Sequence, residues 1–415
     1  MKILCATLAW FLSATTALSL DDEFLDRLEQ TLTFSAFDAA FRFRLSGTVD
    51  LETYHFTRPT PALIEADGHF VFNPRLILFA DAQLAARIYF FAQARFDRGF
   101  DPSEGAAEAR LDEFAFRITP WGDGRFNLQI GRFTAVVGNW MERHLSWENP
   151  FINAPLVYEN LTAIWDSAGA DSIDTLLGWA HVELADGTFS GDADADKRLR
   201  NPIIWGPSYA SGASISGRIG KIEYAAEIKH ASLSSRPEAW ELREISFQHP
   251  TFSGRLGLRP NQAWNFGVSA STGSYLRKEA EPPIAEGHDL GDYRQTVLGQ
   301  DISFAWRHLQ IWAECYQARF EIPSVGDVET VSYYVEAKYK LTPQLFGALR
   351  WNQQFFSKIG EEDRPWGRDV WRVDGALGYR FTAHTQLKLQ YSVRHEQSAP
   401  TNYGHMVAAQ FTLRF

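Results

Sequence analysis

From Phe41 to Glu52 apolar and polar residues alternate without a break: Phe41, Phe43, Leu45, Gly47, Val49 and Leu51 on one register, Arg42, Arg44, Ser46, Thr48, Asp50 and Glu52 on the other. A strand of that period shows one face to an apolar medium and the other to water. The run exceeds the about five or six residues usual in a soluble sheet and approaches the length of a tilted membrane strand. The end of the chain repeats the pattern, with Val407, Ala409, Phe411, Leu413 and Phe415 apolar and Ala408, Gln410, Thr412 and Arg414 between them.

Similar runs recur in pairs joined by short turns: 70–84 with 87–97, 110–119 with 125–133, 209–219 with 222–232, 242–259 with 264–275, 296–306 with 309–320, 329–340 with 345–356, and 371–381 with 386–395. A further pair, 161–166 with 173–183, is weakly patterned. Longer polar stretches separate the pairs, at 55–68, 98–109, 134–160, 183–208, 233–241, 276–294, 321–328, 357–370 and 396–403. Short turns on one side and long loops on the other predict an all-β fold, a transmembrane antiparallel up-and-down β-barrel. The count is about 18 strands, or about 16 if the weak pair is loop, and either encloses an aqueous lumen.

Ahead of the strands, Lys2, the apolar run from Ile3 to Leu12 and the small residues Ala17 and Ser19 form the pattern of an export signal over 1–19. Segment 20–40 follows as a short periplasmic N-terminal piece, with Phe24, Leu28 and Leu32 spaced for a small helix, and 41–415 as the barrel. No later segment has the roughly 18 apolar residues of a membrane helix. The aromatic share of 14% suits the girdles of a large barrel. A mean hydropathy of −0.25 is compatible with a membrane wall, because luminal and lipid-facing residues average out. With the signal removed, 39 basic residues face 51 acidic ones, which argues against a nucleic-acid partner. Only Cys315 then remains, so no intrachain disulfide forms.

The last strand, ending in Phe415, resembles the closing strand of bacterial outer-membrane β-barrel proteins, which the barrel assembly machinery reads. Residues 110–118 (RLDEFAFRI) and 127–133 (NLQIGRF) resemble a strand pair of the phosphate-selective porins, and the hairpin around Arg380 to Tyr391 is also porin-like. The Pro-Phe-Gly common after that pair in the family is replaced by Thr134 to Gly138, so phosphate selectivity is not carried over. The resemblance implies a bacterial outer-membrane location, contact with membrane lipid and lipopolysaccharide, and a homotrimer as the family's common assembly.

The polar register names a luminal wall. Its cations are Arg42, Arg44, Arg95, Arg117, Arg125, Arg218, Arg255, Arg350 and Lys388, with Lys229, Arg259, Lys338, Arg380 and Arg394. Its acids are Asp50, Glu52, Asp97, Glu113, Glu223, Glu227, Asp301, Glu314, Glu336 and Asp374. Charged rings in a pore enrich counter-ions, so a slight basic excess predicts a weak anion preference; pairing across the wall is the alternative. Arg132 falls on the apolar register. The loop 134–160 is too aromatic for water, and Trp140, Arg143, His144, Trp147 and Glu148 are its candidate constriction residues, unless it covers the barrel from outside.

Glu142, His144 and Glu148 lack metal-site spacing, and the run Asp192 to Asp196 resembles a calcium loop without its glycine and its final glutamate. No catalytic or phosphate-binding motif occurs, and no cofactor or enzyme activity is expected. The expected function is passive diffusion of small hydrophilic solutes or ions through the barrel. The rival is a barrel enzyme or loop-based binding protein with no open pore.

Overall fold

The computed structural model describes residues 22–36, 41–57, 69–99, 107–181, 200–280, 284, 287–361, 363–397 and 403–415. The expected export signal and the calcium-like run at 192–196 lie outside them. Sixteen antiparallel strands form the wall: β1 (Phe41–Phe56), β2 (Phe70–Ala85), β3 (Ile88–Asp97), β4 (Glu108–Ile118), β5 (Asn127–Phe133), β6 (Ala210–Ile219), β7 (Ile222–Lys229) and β8 (Thr251–Leu258) make one half. The other half is β9 (Trp264–Ser274), β10 (Arg294–Trp306), β11 (Leu309–Ile322), β12 (Gly326–Lys340), β13 (Leu345–Phe356), β14 (Val370–Arg380), β15 (Thr385–Glu396) and β16 (Tyr403–Arg414). Each pairs with its sequence neighbour, and β16 returns to β1 through Met406 opposite Phe56 to Arg414 opposite Thr48, which closes the ring. A four-residue strand, Thr33–Ala36, adds outside the ring to the start of β1.

The count of about 18 is therefore corrected to 16. Within 161–166 the backbone makes one isolated bridge, Trp165 to Arg200, and the partner run is a helix, α2 after the N-terminal α1 (Asp22–Thr31), spanning Ile173–His181. Its apolar residues Ile173, Leu176, Leu177 and Ala180 fall at helical spacing rather than period two. The Ser172 hydroxyl accepts from the Thr175 amide at its start. Two boundaries also move. The expected loop 321–328 shrinks to a turn over 323–325, closed by the Val325 amide on the Ile322 carbonyl. Strand β8 starts at Thr251 rather than 242, residues Leu242–Glu244 forming a 3-10 turn.

The two registers separate as period two requires. Leu298, Leu349, Leu377, Leu389 and Val407 are exposed on the outer face, while Asp50, Glu336, Asp374, Lys388 and Thr412 are buried on the inner one. Trp121, Trp264, Trp306, Tyr339, Tyr379 and Phe381 ring the outer face at the short-turn end, and Phe70, Phe72, Phe96, Phe252 and Tyr403 ring it at the other. Such belts match the two interfaces of an apolar band. Among the described residues no helix is long and apolar enough to cross a membrane. Helix α1 sits at the short-turn mouth, tied by Glu29 to Arg44 at 2.5 Å and by Asp26 to His384 at 2.9 Å.

The largest apolar core lies inside the barrel. Residues of the 134–209 connection, including Val137, Tyr158, Ile164, Leu176 and Ile204, pack with inward side chains such as Tyr316, Phe320, Tyr334, Phe356 and Trp366. A lumen filled in this way on one side is what positions the site.

Candidate functional site: the loop that crosses the lumen

After Phe133 the chain leaves the wall and turns inward, because its apolar side chains find no lipid and each gains roughly 1.5–3 kcal/mol on leaving water. Trp140 stacks on Tyr158 at 4.4 Å, which brings the two halves of the loop together, and Met141–Arg143 form a short turn between them. This places 134–160 within the barrel and excludes the outside cover.

The loop is then tied to the far wall. The amides of Asn139 and Trp140 and the Tyr158 hydroxyl all donate to Glu314 on β11. Arg143 donates to Glu336 on β12 at 2.5 Å and lies 4.3 Å over the Trp312 ring. Arg350 reaches Asn153 Oδ1 at 2.7 Å, and Arg372 pairs with Glu159. The Lys388 ammonium donates to the carbonyls of Ser146, Asn149 and Phe151, at 2.7, 3.0 and 3.0 Å, which uses all three of its protons. Trp147 lies between the guanidinium groups of Arg380 and Arg414, at 4.8 and 4.1 Å. On the near side Ile152 packs with Tyr54, Phe56, Val71 and Met406, and the Tyr209 hydroxyl meets both Gln93 and His144.

These contacts sort the sequence-predicted wall. Arg42, Arg44, Arg117 and Arg218 face the lumen near the short-turn mouth, where Arg117 is held by Gln129 and Arg218 by the Gly220 carbonyl. Arg95 pairs with Asp112 at 2.9 Å, and Arg255 with Asp301 at 2.6 Å. Arg350 and Lys388 face inward, and the loop covers both, leaving them buried. Arg125 is not in the wall at all. It sits in the turn before β5, paired with Asp123 and stacked on Trp121. Arg132 points to the apolar side and donates to the Leu111 and Trp240 carbonyls.

All five constriction candidates belong to the inward loop. Trp140, Arg143 and Trp147 are buried, while Glu142 and Glu148 are exposed toward the short-turn vestibule. Sequence reasoning missed Arg75, which bridges Asp50 at 3.0 Å and Glu52, as well as Asp112, Glu159 and Arg372. Arg75 was within reach: β2 pairs in strict register with β1, and a lone arginine opposite Asp50 faces the same lumen.

His144 accounts for one pH effect. Burial pushes its imidazole down to about 4; the Arg95 and Arg75 charges add to this, and the Met141 carbonyl and Asp112 oppose it. A histidine held neutral in the docked loop stabilises docking fully above its free value near 6.5. That contribution is lost as pH falls toward 4, by roughly 3 kcal/mol at most. Acidification from 7.5 to 4.5 is therefore expected to raise the frequency of loop excursions in single-channel records. His144→Gln should lose that response, and an unchanged response in the variant would assign it to other groups.

No protein-family model matches the chain, and no curated protein sequence resembles it. Solved structures do resemble it in shape. OmpF of Salmonella typhi, in complex with daunomycin, aligns with a TM-score of 0.57 at 10% identity, covering 92% of this chain and 100% of that one. An anion-selective porin from Comamonas acidovorans aligns at 0.55 and 10% identity, covering 90% and 100%. OmpT, an outer membrane protein of Vibrio cholerae, in its trimer form, aligns at 0.53 and 8% identity, covering 91% and 100%. With its closed ring of sixteen strands and its inward loop, the chain has the fold of the outer-membrane porins.

Proposed function

We propose that the protein is an outer-membrane channel for small hydrophilic solutes or ions, weakly favouring anions. Its passage runs between the inward loop and the β2–β5 wall. The observation that carries this is an asymmetry of solvent access across the lumen. At the middle of β12–β14 Glu336, Arg350 and Asp374 have no exposed side-chain surface, whereas Arg75, Arg95 and Arg110 on the other side retain 12–17% above acid partners at 0–4%. Water therefore reaches the barrel's mid-height along one arc of the wall.

Charge along that path supports the preference. At mid-height the cations are matched by acids: Arg75 by Asp50 and Glu52, Arg95 and Arg110 by Asp97 and Asp112. At the short-turn mouth, read as periplasmic, Arg42, Arg117 and Arg218 have no ion pair among the described residues. Glu142 and Glu148 are exposed to the same vestibule, so the basic excess is small, and it raises the local anion concentration only weakly. Solutes move down their gradient, and no covalent step is involved.

A planar-bilayer recording tests the reading. Stable conductance steps are expected, with a reversal potential that moves toward cation preference in the Arg42→Glu, Arg117→Glu, Arg218→Glu triple variant. An unmoved potential would remove these groups from control of permeation. Absence of steps would overturn the channel itself and favour the second reading, a barrel closed by its own loop and acting through its outer surface. The sealing of the lumen at the middle of β12–β14 is the feature that supports that alternative.

A further inference from the structure

Among the described residues, each buried lysine or arginine donates to an oxygen except one, Lys338. It stands on the inward register of β12 near the short-turn end and is 7% exposed. Its ammonium lies 4.3 Å over the Phe346 ring and has no hydrogen bond and no ion pair among the described residues. A ring face attracts the charge but offers no lone pair to the three N–H donors. Lys388, three strands away, fills all three of its donors with loop carbonyls. An ammonium buried without an acceptor is unfavourable, so the position calls for a negatively charged partner.

The sequence sets Lys338 in this place through a glycine. Gly378 on β14 faces inward opposite Phe346 of β13, and a Cβ there would collide with the Phe346 ring. Its absence lets the ring lie across onto β14. The ammonium resting on that ring is thereby carried toward Arg380, two residues beyond Gly378.

Arg380 is a second cation with no acid paired to it among the described residues. Its Nε donates to Gln386 Oε1 at 2.9 Å, and a terminal nitrogen donates to the Trp147 carbonyl at 3.3 Å. Because Gln386 gives its oxygen to Arg380, its buried Nε2 is left as a further donor without an acceptor. Of the charges that act on Lys338, that of Arg380 is the strongest, and it repels. Glu148, exposed in the vestibule, attracts from beyond ion-pair distance; Lys340 and Glu336 act more weakly, and Glu336 is already held by Arg143 and Arg350. Two like charges kept side by side with donors unfilled are the receiving half of an oxyanion site.

We propose that Lys338 and Arg380 bind the carboxylate of a permeating solute where the short-turn vestibule meets the inward loop. With Glu148 facing them, the three side chains sum to one positive charge, which a single carboxylate neutralises and a phosphate dianion exceeds. A site of this kind concentrates the solute at the pore while the opposing Glu148 keeps binding weak enough for release. The proposal deepens the channel reading by naming a solute class, and rests on it for the solute's passage. Its test reads binding without current, so either reading can fail alone.

Fluorine NMR relaxation of fluoroacetate, added at neutral pH to the full-length protein in detergent, tests it, with fluoroacetamide as the neutral control and monofluorophosphate as the dianion. Broadening of the fluoroacetate line that acetate competes away is expected, with little for fluoroacetamide. Lys338→Met keeps the packing on Phe346 without the charge and should weaken binding about tenfold. Lys338→Arg should recover part of the loss. Glu148→Gln should tighten binding about twofold to fivefold. Heat-modifiable migration confirms that each variant forms a barrel. No broadening in the wild type, or equal broadening in the wild type and Lys338→Met, would overturn the proposal, since the anion would then answer at most to the general field of the vestibule. So would binding that appears only in Glu148→Gln, which would make Glu148 the ammonium's own counter-ion. Tighter binding of monofluorophosphate than of fluoroacetate would overturn the choice of a carboxylate.

Discussion

Replacing Asp374 by alanine is expected to destabilise the barrel by about 3 kcal/mol, because the buried Arg350 and Arg372 guanidinium groups each lose one of two carboxylate partners, keeping only Glu336 and Glu159 respectively. The Asp374 carboxylate accepts from Arg350 at 2.9 Å, from Arg372 at 3.0 Å, from Asn352 at 2.9 Å and from Ser392 at 2.6 Å, and no part of its side chain is exposed. The same two arginines hold Asn153 and Glu159 of the loop, so the loss extends beyond the wall. Urea unfolding followed by heat-modifiable migration reads the effect. Asp374→Asn, which keeps the acceptor but not the charge, should fall between wild type and alanine. A loss under about 1 kcal/mol would indicate that water reaches the carboxylate and that the lumen is not sealed there.

Removing residues 139–158 and joining the ends with a Gly-Ser linker is expected to raise single-channel conductance by about threefold or more, since a sixteen-strand barrel without an inward loop encloses a wide aqueous lumen. The deleted segment carries Trp140, Trp147 and Phe151, and covers Lys388 and Arg350. In the shortened protein Lys388 and Arg350 would meet water together with the acids Glu314 and Glu336, which the same segment covers, so conductance is the readout. The measurement is again a planar bilayer under a salt gradient. Conductance equal to the wild type would mean that ions do not pass the loop, and would sink the placement of the passage.

The strands were legible because a barrel wall imposes a local rule. Each residue meets either lipid or lumen, the choice alternates with position, and so Phe41 to Glu52 or Val407 to Phe415 can be read without knowing any partner. The error in strand number has the same origin. Residues 173–183 are apolar enough to suggest a strand, but the spacing of Ile173, Leu176, Leu177 and Ala180 is helical, and the segment packs in the luminal core, where the two-faced rule does not apply. Arg125 was misplaced because a turn residue next to an alternating run looks like its continuation.

The chain's own order of residues determined the barrel, the inward register and the aromatic character of the 134–160 loop, since these depend on neighbours a few positions apart. Where that loop goes, which charges it buries and which arc of the lumen stays wet were decided only in three dimensions. Glu314, Glu336, Arg350 and Lys388 lie some 160 to 240 positions from the loop residues they hold, as the spacings of 175, 193, 197 and 239 show. No local pattern encodes contacts of that range, because a luminal arginine looks the same in sequence whether water, an acid on the next strand or a distant carbonyl satisfies it.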